Sequence, residues 1–194
     1  MQRKRYTTQG GIQVEREIAA RPYSAADTAL VAALDRRRGV LFSSSFEFPG
    51  RYTRWDMGFV DPPLAFTARG RNFSVEALNA RGAVLIDAIA DALKGLAATE
   101  ITAVSATRVD GSIRATGTRF PEEQRSRQPS VFSVLRALIA LFKSAEDEHL
   151  GFYGAFGYDL VFQFEPMTLR LPRRPDQRDL VLYLPDEILI VDHM

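Results

Sequence analysis

The sequence predicts an α+β fold with a largely antiparallel sheet and about three interleaved helices. Segments with strand character outnumber the helical ones, and the helices fall between them irregularly. Strict alternation of strand and helix would instead be typical of a parallel, doubly wound sheet. The 194 residues are 46% hydrophobic and 25% charged, an ordinary globular composition that suffices for one well-packed domain or two small ones.

The first forty residues contain one predicted strand and one predicted helix. Residues 11–18 follow a glycine turn and alternate in polarity, which indicates a short strand. Residues 25–37 carry apolar side chains at helical spacing, with Ser24 as a candidate N-cap and Gly39 as a candidate end. The basic residues 3–5 are interpreted as a solvated end of the chain.

Strand character returns in the middle of the chain. A buried strand over residues 40–42 ends in three serines, and residues 43–63 are polar, aromatic and proline-bearing. Strands are expected at residues 64–68 and 72–78. After a turn at residues 79–82, a helix is predicted because four apolar residues share one of its faces. Those residues are Leu85, Ile86, Ile89 and Leu93.

A hairpin, a loop and a second strong helix are predicted next. Strands near residues 100–107 and 112–117 flank Val109-Asp110-Gly111, a sequence typical of a hairpin turn. Residues 119–129 are polar and charged, which predicts an exposed loop. Ser130 is expected to cap an amphipathic helix. Its apolar face comprises Val131, Val134, Leu135, Leu138, Ile139 and Phe142.

The final third is dominated by strands. Residues 151–158 mix glycine with aromatic residues, which indicates a strand that another backbone or a ligand can approach closely. Two further strands, at residues 180–184 and 187–191, are joined by Pro185-Asp186. Because the final strand reaches the end of the sequence and needs a partner, more protein is expected to follow in the natural product.

Composition excludes several classes of function. Without cysteine, the chain cannot form a disulfide scaffold, a thiolate metal site or a cysteine nucleophile. A net charge of +1 gives no bias toward nucleic acid or an anionic membrane. No apolar run approaches the roughly 20 residues that span a bilayer, and the N-terminus lacks a secretory apolar region. We therefore expect a cytoplasmic protein without nucleic-acid or membrane partners.

No catalytic centre is indicated by the motifs. His149 and His193 lie far apart and in no ligand-spaced pattern, so no metal site is predicted. The sequence has no dinucleotide-binding glycine motif, no Walker loop and no nucleophile elbow. The acidic pairs lie in polar segments and are interpreted as solvated surface. The sequence therefore predicts no catalytic residue.

The segment after residues 40–42 combines the parts of a small-molecule pocket. Ser43, Ser44 and Ser45 offer hydroxyl donors and acceptors. Arg51 offers a planar guanidinium that suits a carboxylate. Nearby aromatic side chains can stack on an aromatic ligand: Phe42, Phe46, Phe48, Tyr52 and Trp55. From composition alone, the more conservative interpretation is that the serines end a strand and the aromatic residues fill the core.

The string FSSSFEFPGRYTRWDMGFVDPPLAFTARG, residues 42–70, resembles the N-terminal segment of anthranilate synthase large subunits. That family shows a strand ending in Leu-Glu-Ser, then Gly-Arg-Tyr-Ser, then a strand with Thr-Ala-Arg-Gly. In this sequence, LFSS at residues 41–44 corresponds to the strand ending in Leu-Glu-Ser, and GRYT at residues 50–53 corresponds to Gly-Arg-Tyr-Ser. GFYGAFGYD (residues 151–159) and DLVLYLPDEILIVDH (residues 179–193) resemble further strands of this region. The sequence is most similar to the single-chain form fused to a glutamine amidotransferase.

The resemblance implies that residues 1–194 are the regulatory N-terminal region of an enzyme that makes anthranilate. That enzyme uses chorismate, ammonia from glutamine and a Mg²⁺ ion. Its chorismate and Mg²⁺ residues would lie downstream, so the chain alone is expected to be inactive and to hold no cofactor. The implied partners are the catalytic part, the glutamine amidotransferase and the inhibitor L-tryptophan.

Specific tryptophan-binding residues follow from the motif positions. They are Ser43, Ser44, Ser45 and Arg51, with Leu41, Phe42, Glu47 and Tyr52 as further candidates. Ser43 departs from the family pattern, in which a glutamate stands at this position. A serine binds a ligand ammonium more weakly than a carboxylate does. Glu47, four residues further on, is a candidate to supply the missing charge.

Two alternatives are compatible with these residues. A sister chorismate-using enzyme of the aminodeoxychorismate, salicylate or phenazine branch would share this region. A stand-alone small-molecule-binding or interaction module would have no enzymatic partner. A downstream chorismate-binding region in the same reading frame would reject the module, and product analysis would separate the branches.

Overall fold

The computed structural model describes residues 2–43, 55–115, 121, 123–124, 128–165 and 167–192, without the side chains of residues 23–27. Within these ranges, eleven strands form three antiparallel sheets, which confirms the predicted α+β class. The strands are β1 (Gln2–Thr7), β2 (Gln13–Ile18), β3 (Gly39–Phe42), β4 (Trp55–Val60), β5 (Leu64–Arg69), β6 (Asn72–Ala77), β7 (Thr99–Val104), β8 (Arg108–Ile113), β9 (Tyr153–Phe156), β10 (Leu180–Leu184) and β11 (Leu189–Asp192). The helices are α1 (Tyr23–Leu34), α2 (Ala80–Ala83), α3 (Ile86–Lys94), α4 (Val131–Phe142) and a 3₁₀ helix, Tyr158–Gln163.

The main core lies between a six-stranded sheet and helices α3 and α4. The strand order is β7-β8-β6-β5-β10-β9. Successive side chains of a strand face opposite sides, so alternate residues of the inner strands enter this core. They include Leu64, Phe66, Phe73, Val75, Val109, Ile113, Leu180, Leu182 and Leu184. Full burial of such side chains stabilises the fold by about 1.5–3 kcal/mol each.

Helices α3 and α4 bury the faces that their apolar spacing predicts. From α3 the buried residues are Ile86, Ile89, Ala90 and Leu93, and from α4 they are Val131, Val134, Leu135, Leu138, Leu141 and Phe142. The prediction that Ile139 belongs to the buried face of α4 is wrong, since this residue is 44% exposed. Ser130 takes the predicted N-cap position, and the Val131 N–H donates to the Gln163 side-chain oxygen at 2.9 Å.

A three-stranded sheet, in the order β11-β4-β3, covers the other face of β9 and β10. Tyr183 lies between two leucines that enter the main core, so its ring points to the opposite face. There it contacts Phe59 of β4, with ring centroids 6.2 Å apart. Gly58, the residue before Phe59, faces the opposite side of β4, where Leu30 of α1 lies. Apart from the β1–β2 sheet, the described elements therefore stack in four layers: α3 with α4, the large sheet, the small sheet, and α1.

Strands β1 and β2 form a separate ribbon that closes the C-terminal end of α4. A helix leaves its last carbonyls without partners in the helix itself. The Thr8 hydroxyl donates to the Leu141 carbonyl at 2.7 Å, and the Gln9 N–H donates to the Lys143 carbonyl at 2.8 Å. Gly10 also donates to Leu141, and a Cβ at Gly10 would lie 2.6 Å from the Leu141 Cα. The ribbon turn is therefore a cap supplied from outside the helix.

We expect Thr8→Val to destabilise this cap. Thr8 is buried, and its hydroxyl donates to Leu141 and accepts the Ile12 N–H at 3.0 Å. Loss of both bonds without loss of volume should cost about 1–3 kcal/mol. Urea unfolding gives the total, and faster hydrogen exchange at Ile12 would locate the change. The control is Thr7→Val at the exposed neighbouring position, where about 0.5 kcal/mol or less is expected. Equal losses in the two variants would contradict the prediction.

Two strands occupy segments for which no strand was predicted. Residues 3–5, interpreted as a solvated end, belong to β1, where Arg3 pairs with Glu17 and Arg5 with Glu15 directly across the ribbon. Such cross-strand pairs of opposite charge favour a sheet despite the polar sequence. Residues 55–60, predicted as part of a polar segment, form β4, which pairs with a strand on each side.

The predicted hairpin turn at Val109-Asp110-Gly111 is wrong. These residues lie inside β8, and the chain reverses over residues 105–107, where the Thr107 N–H donates to the Ser105 hydroxyl at 3.3 Å. Gly111 is required for a different reason, because a Cβ there would lie 2.5 Å from the Phe73 ring. From sequence alone, a glycine that leaves room for a neighbouring ring cannot be distinguished from a glycine that a turn requires.

Other element limits also differ from the prediction. Helix α1 begins at Tyr23 with Pro22 as its N-cap, so the predicted cap Ser24 lies within the helix, and the helix ends at Leu34. The turn predicted at residues 79–82 overlaps the one-turn helix α2, whose N-cap Asn79 accepts the N–H of Arg81 and of Gly82 through its side chain. The two final strands do not pair with each other, since β10 and β11 belong to different sheets. Among the described residues, no helix is both long and apolar enough to cross a membrane.

Candidate functional site

The predicted tryptophan-binding residues begin at the end of β3. Leu41 and Phe42 are its last two residues and pair with Gly58 and Met57 of β4. Ser43 directly follows the strand and is exposed. The remaining candidates lie outside the described residues: Ser44, Ser45, Glu47, Arg51 and Tyr52. The predicted strand over residues 40–42 is thus confirmed, and it presents Ser43 at its open end.

The position of this strand end is set by close packing on both sides of β4. A Cβ at Gly58 would meet the Leu30 side chain of α1, so only glycine allows the helix to approach this closely. Phe59, on the opposite face of β4, is 2% exposed. Since β3 is hydrogen-bonded along β4, the same packing fixes Leu41 and Phe42.

Four aromatic rings join the end of β3 to the large sheet, and we call them the aromatic cluster: Phe42, Phe59, Tyr153 and Tyr183. The Phe42 and Tyr153 ring centroids lie 6.3 Å apart with the planes tilted by 47°. Phe59 contacts both tyrosines edge to face, at 6.2 Å in each case. Such pairs add about 0.5–1.5 kcal/mol beyond the area that they bury. The cluster therefore places Phe42 within contact of β9.

The Tyr153 ring of this cluster is held by a hydrogen bond. Its hydroxyl donates to the His149 carbonyl at 2.7 Å. Burial, followed by the negative charge of Asp147, raises the pKa of Tyr153 above its ordinary value. A phenol with a raised pKa keeps its proton near neutral pH, so the donated bond persists. Because Tyr153 begins β9, this bond ties the start of the strand to the segment before it.

A group of charged and polar side chains, which we call the Arg173 cluster, lies just beyond β9. The Arg173 guanidinium pairs with Asp179 and, through its Nε at 3.0 Å, with Asp159. Asp179 is 1% exposed and also accepts the Gly70 N–H at 2.5 Å. The hydrogen bond to Asp179 raises the pKa of Arg173. Gln177 donates to Asp159 at 2.7 Å. The cluster thus ties the connection before β10 to the β5–β6 turn.

Neither cluster was predicted as a group. The glycine and aromatic content of residues 151–158 predicted a strand that allows close approach, and this is confirmed at Gly154, where a Cβ would meet the Val181 carbonyl. That pattern did not single out Tyr153. Arg173 and Asp179 lie in a stretch dense in arginine and aspartate, RLPRRPDQRD, which reads as solvated charge. The buried position of Asp179 is set by Gly70, more than a hundred residues away.

The described residues lack the elements of a metal centre. No three His, Cys, Asp or Glu side chains among them lie together as ligands for an ion. The carboxylates of the Arg173 cluster are already neutralised by the guanidinium between them. At the end of β3, the described residues offer an exposed serine, Ser43, beside the 38% exposed Phe42.

Known proteins resemble the chain along nearly its whole length. No protein-family profile matches it. It is 52% identical over 188 residues to the anthranilate synthase of Azospirillum brasilense, an alignment that covers 97% of this chain and 26% of that protein. It is 34% identical over 173 residues to anthranilate synthase component 1 of Serratia marcescens, covering 81% and 30% of the two chains. For component 1 of Vibrio cholerae the identity is 26% over 175 residues.

These alignments extend the resemblance beyond the motifs on which it was first based. None of those motifs lies within residues 1–38, yet the match to the first relative includes almost all of these residues. The chain spans about a quarter to a third of the length of these curated relatives, and it matches their N-terminal region. With 52% identity over 97% of its length, the chain belongs to the anthranilate synthase family.

Proposed function

We propose that this chain is the regulatory N-terminal portion of an anthranilate synthase that converts chorismate and glutamine to anthranilate in tryptophan biosynthesis, in the cytoplasm. The observation that carries the proposal is the 52% identity to the Azospirillum brasilense enzyme over 97% of the chain. The relatives compared above are called anthranilate synthase or its component 1, which favours this function over that of the sister chorismate-using branches.

The lengths of the relatives favour a fused glutamine amidotransferase. The alignment covers a smaller share of the Azospirillum brasilense protein, 26%, than of the component 1 relatives, 30% and 33%. The former is named as anthranilate synthase without a component number. A protein that is longer than component 1 has room for an amidotransferase in the same polypeptide. We infer that the present chain precedes a catalytic part and an amidotransferase part.

Within that enzyme, the chain controls the reaction and does not perform it. The described residues hold no set of side chains that fits Mg²⁺, so we assign no ligand of that ion to them. The ion and the chorismate-binding residues belong to the part that follows. L-Tryptophan binds beyond the end of β3, with Ser43, Ser44, Ser45 and Arg51 as its polar contacts.

The geometry at the end of β3 supports this location. Ser43 is exposed and leaves the sheet, so its hydroxyl is available to a ligand. The Phe42 ring is 38% exposed at the same end, which provides apolar surface for an indole. Tryptophan that binds more tightly to a low-activity arrangement of the two parts would shift the population toward it.

Assay of the full-length protein tests the proposal. We expect it to form anthranilate from chorismate, glutamine and Mg²⁺, and to be inhibited by L-tryptophan. The 194-residue chain alone should form no anthranilate. Product identification by mass spectrometry separates this enzyme from the sister branches. Formation of aminodeoxychorismate or salicylate, or activity of the isolated chain, would reject the proposal, and calorimetry that shows no tryptophan binding to the full-length protein would reject the regulatory part.

A further inference from the structure

We propose that Tyr153 is the positioning residue that couples the tryptophan site at the end of β3 to strand β9, an inference that rests on the proposed function. Phe42 immediately precedes the serines, and its ring contacts the ring of Tyr153 in the large sheet. A ligand that moves Phe42 therefore acts on Tyr153 through direct ring contact.

The two sheets meet through side chains, which allows such a movement to be transmitted. Among the described residues, no strand of the small sheet is hydrogen-bonded to a strand of the large sheet. Packed side chains can shift between discrete arrangements without breaking a hydrogen-bond ladder. The aromatic cluster lies in this interface and spans it from Phe42 to Tyr183.

The strand that carries Tyr153 has more freedom to move than the strands that carry Phe59 and Tyr183. Phe59 is 2% exposed and lies in the middle strand of its sheet. Tyr183 belongs to β10, which is paired on both sides. Tyr153 begins β9, which is paired on one side only among the described residues and ends in the half-exposed Phe156. An edge strand can shift with fewer broken bonds than an inner one.

The hydroxyl of Tyr153 gives the ring a fixed pivot. Its bond to the His149 carbonyl holds the far end of the side chain, so a push on the ring is passed to the backbone of β9 rather than absorbed by a rotamer change. Strand β9 leads through Gly157, whose N–H donates to the Asp179 carbonyl at 2.7 Å, to the Arg173 cluster. A displacement of β9 would thus reach the segment between β9 and β10.

The coupling can be measured directly in the full-length protein. L-Tryptophan is titrated by calorimetry with and without saturating chorismate, in the absence of glutamine and ammonia so that no product forms. The ratio of the two dissociation constants is the coupling factor, for which about 5–150 is typical of allosteric proteins. We expect Tyr153→Leu to lower this ratio at least fivefold, while the dissociation constant without chorismate changes by less than about threefold.

Two matched variants separate coupling from general damage. Tyr153→Phe keeps the ring contact but loses the hydroxyl bond, so its ratio should fall between those of wild type and Tyr153→Leu. Tyr158→Leu, at a residue that is 87% exposed, should leave the ratio unchanged. A wild-type ratio in Tyr153→Leu, with tryptophan still inhibiting the enzyme, would overturn this inference and leave the proposed function intact. A wild-type protein that does not bind tryptophan would overturn both.

A second measurement needs no destabilising variant. In wild-type protein labelled with 3-fluorotyrosine, the Tyr153 resonance is identified by its absence from the spectrum of Tyr153→Phe. We expect that fluorine resonance to shift when L-tryptophan is added, with the Tyr158 resonance unchanged. A Tyr153 resonance that does not respond at saturating tryptophan would overturn the inference even if Tyr153→Leu fails to fold.

Discussion

Ser44→Phe in the full-length enzyme should abolish most of the feedback inhibition while leaving basal activity within about twofold of wild type. A phenylalanine removes a hydroxyl donor and fills the space into which the proposed ligand binds, and overpacking of a filled site typically costs 1–3 kcal/mol. Since each 1.4 kcal/mol is a factor of about ten in affinity, the tryptophan concentration for half inhibition should rise about tenfold or more.

Two companion variants make this result specific to the site. Ser44→Ala removes the hydroxyl without adding volume, and its effect should be smaller, about fivefold, as expected for one lost hydrogen bond. Ser105→Phe places the same large side chain in the exposed turn between β7 and β8, at the opposite edge of the large sheet from β9. It should leave inhibition unchanged. Undiminished sensitivity of Ser44→Phe to tryptophan would remove Ser44 from the site.

Arg173→Met should be the most destabilising of the charge substitutions. It would leave Asp179, 1% exposed, and the mostly buried Asp159 without their shared cation. Removing one partner of a buried ion pair costs about 3–5 kcal/mol, because the remaining charge is left uncompensated. Urea unfolding followed by far-ultraviolet circular dichroism measures the loss.

Two further variants, Asp179→Asn and Arg174→Met, test whether the loss of stability comes from burial of the ion pair and not from charge alone. Asp179→Asn should cost less, about 1–3 kcal/mol, because the Arg173 side chain is 20% exposed and can still reach water. Arg174→Met is the matched control, since Arg174 pairs with Asp176 and both side chains are more than 70% exposed. Such a surface pair contributes about 0–1 kcal/mol. A loss in Arg174→Met that equals the loss in Arg173→Met would contradict the buried-pair explanation.

The elements that could be predicted are those whose signal is contained in their own residues. The apolar spacing of α3 and α4 predicted their buried faces, and Ser130 marked where α4 begins. The strand ending in Phe42 was predicted in the same way, from a short apolar run that stops at serine. Helical and strand periods are local properties, so they need no knowledge of the partner element.

The failures involve residues whose role depends on a distant partner. Asp110-Gly111 is typical of a turn, but Gly111 is glycine because Phe73 occupies the adjacent space. The polar strand β1 becomes a strand because Glu15 and Glu17 lie opposite its arginines. In each case the local pattern was ambiguous, and a tertiary contact selected the structure.

By itself, the sequence determined the fold class, the family and the strand end at which Ser43 leaves the sheet. Only the tertiary structure decided that this strand end contacts β9, because Phe42 and Tyr153 are separated by more than a hundred residues and meet through ring packing. The same holds for Asp179, whose burial is set by Gly70 and Arg173 rather than by its neighbours in sequence. Local periodicity specifies which residues face inward. Which inward faces meet depends on how the sheets pack. The contact between the proposed tryptophan site and the large sheet arises from that packing.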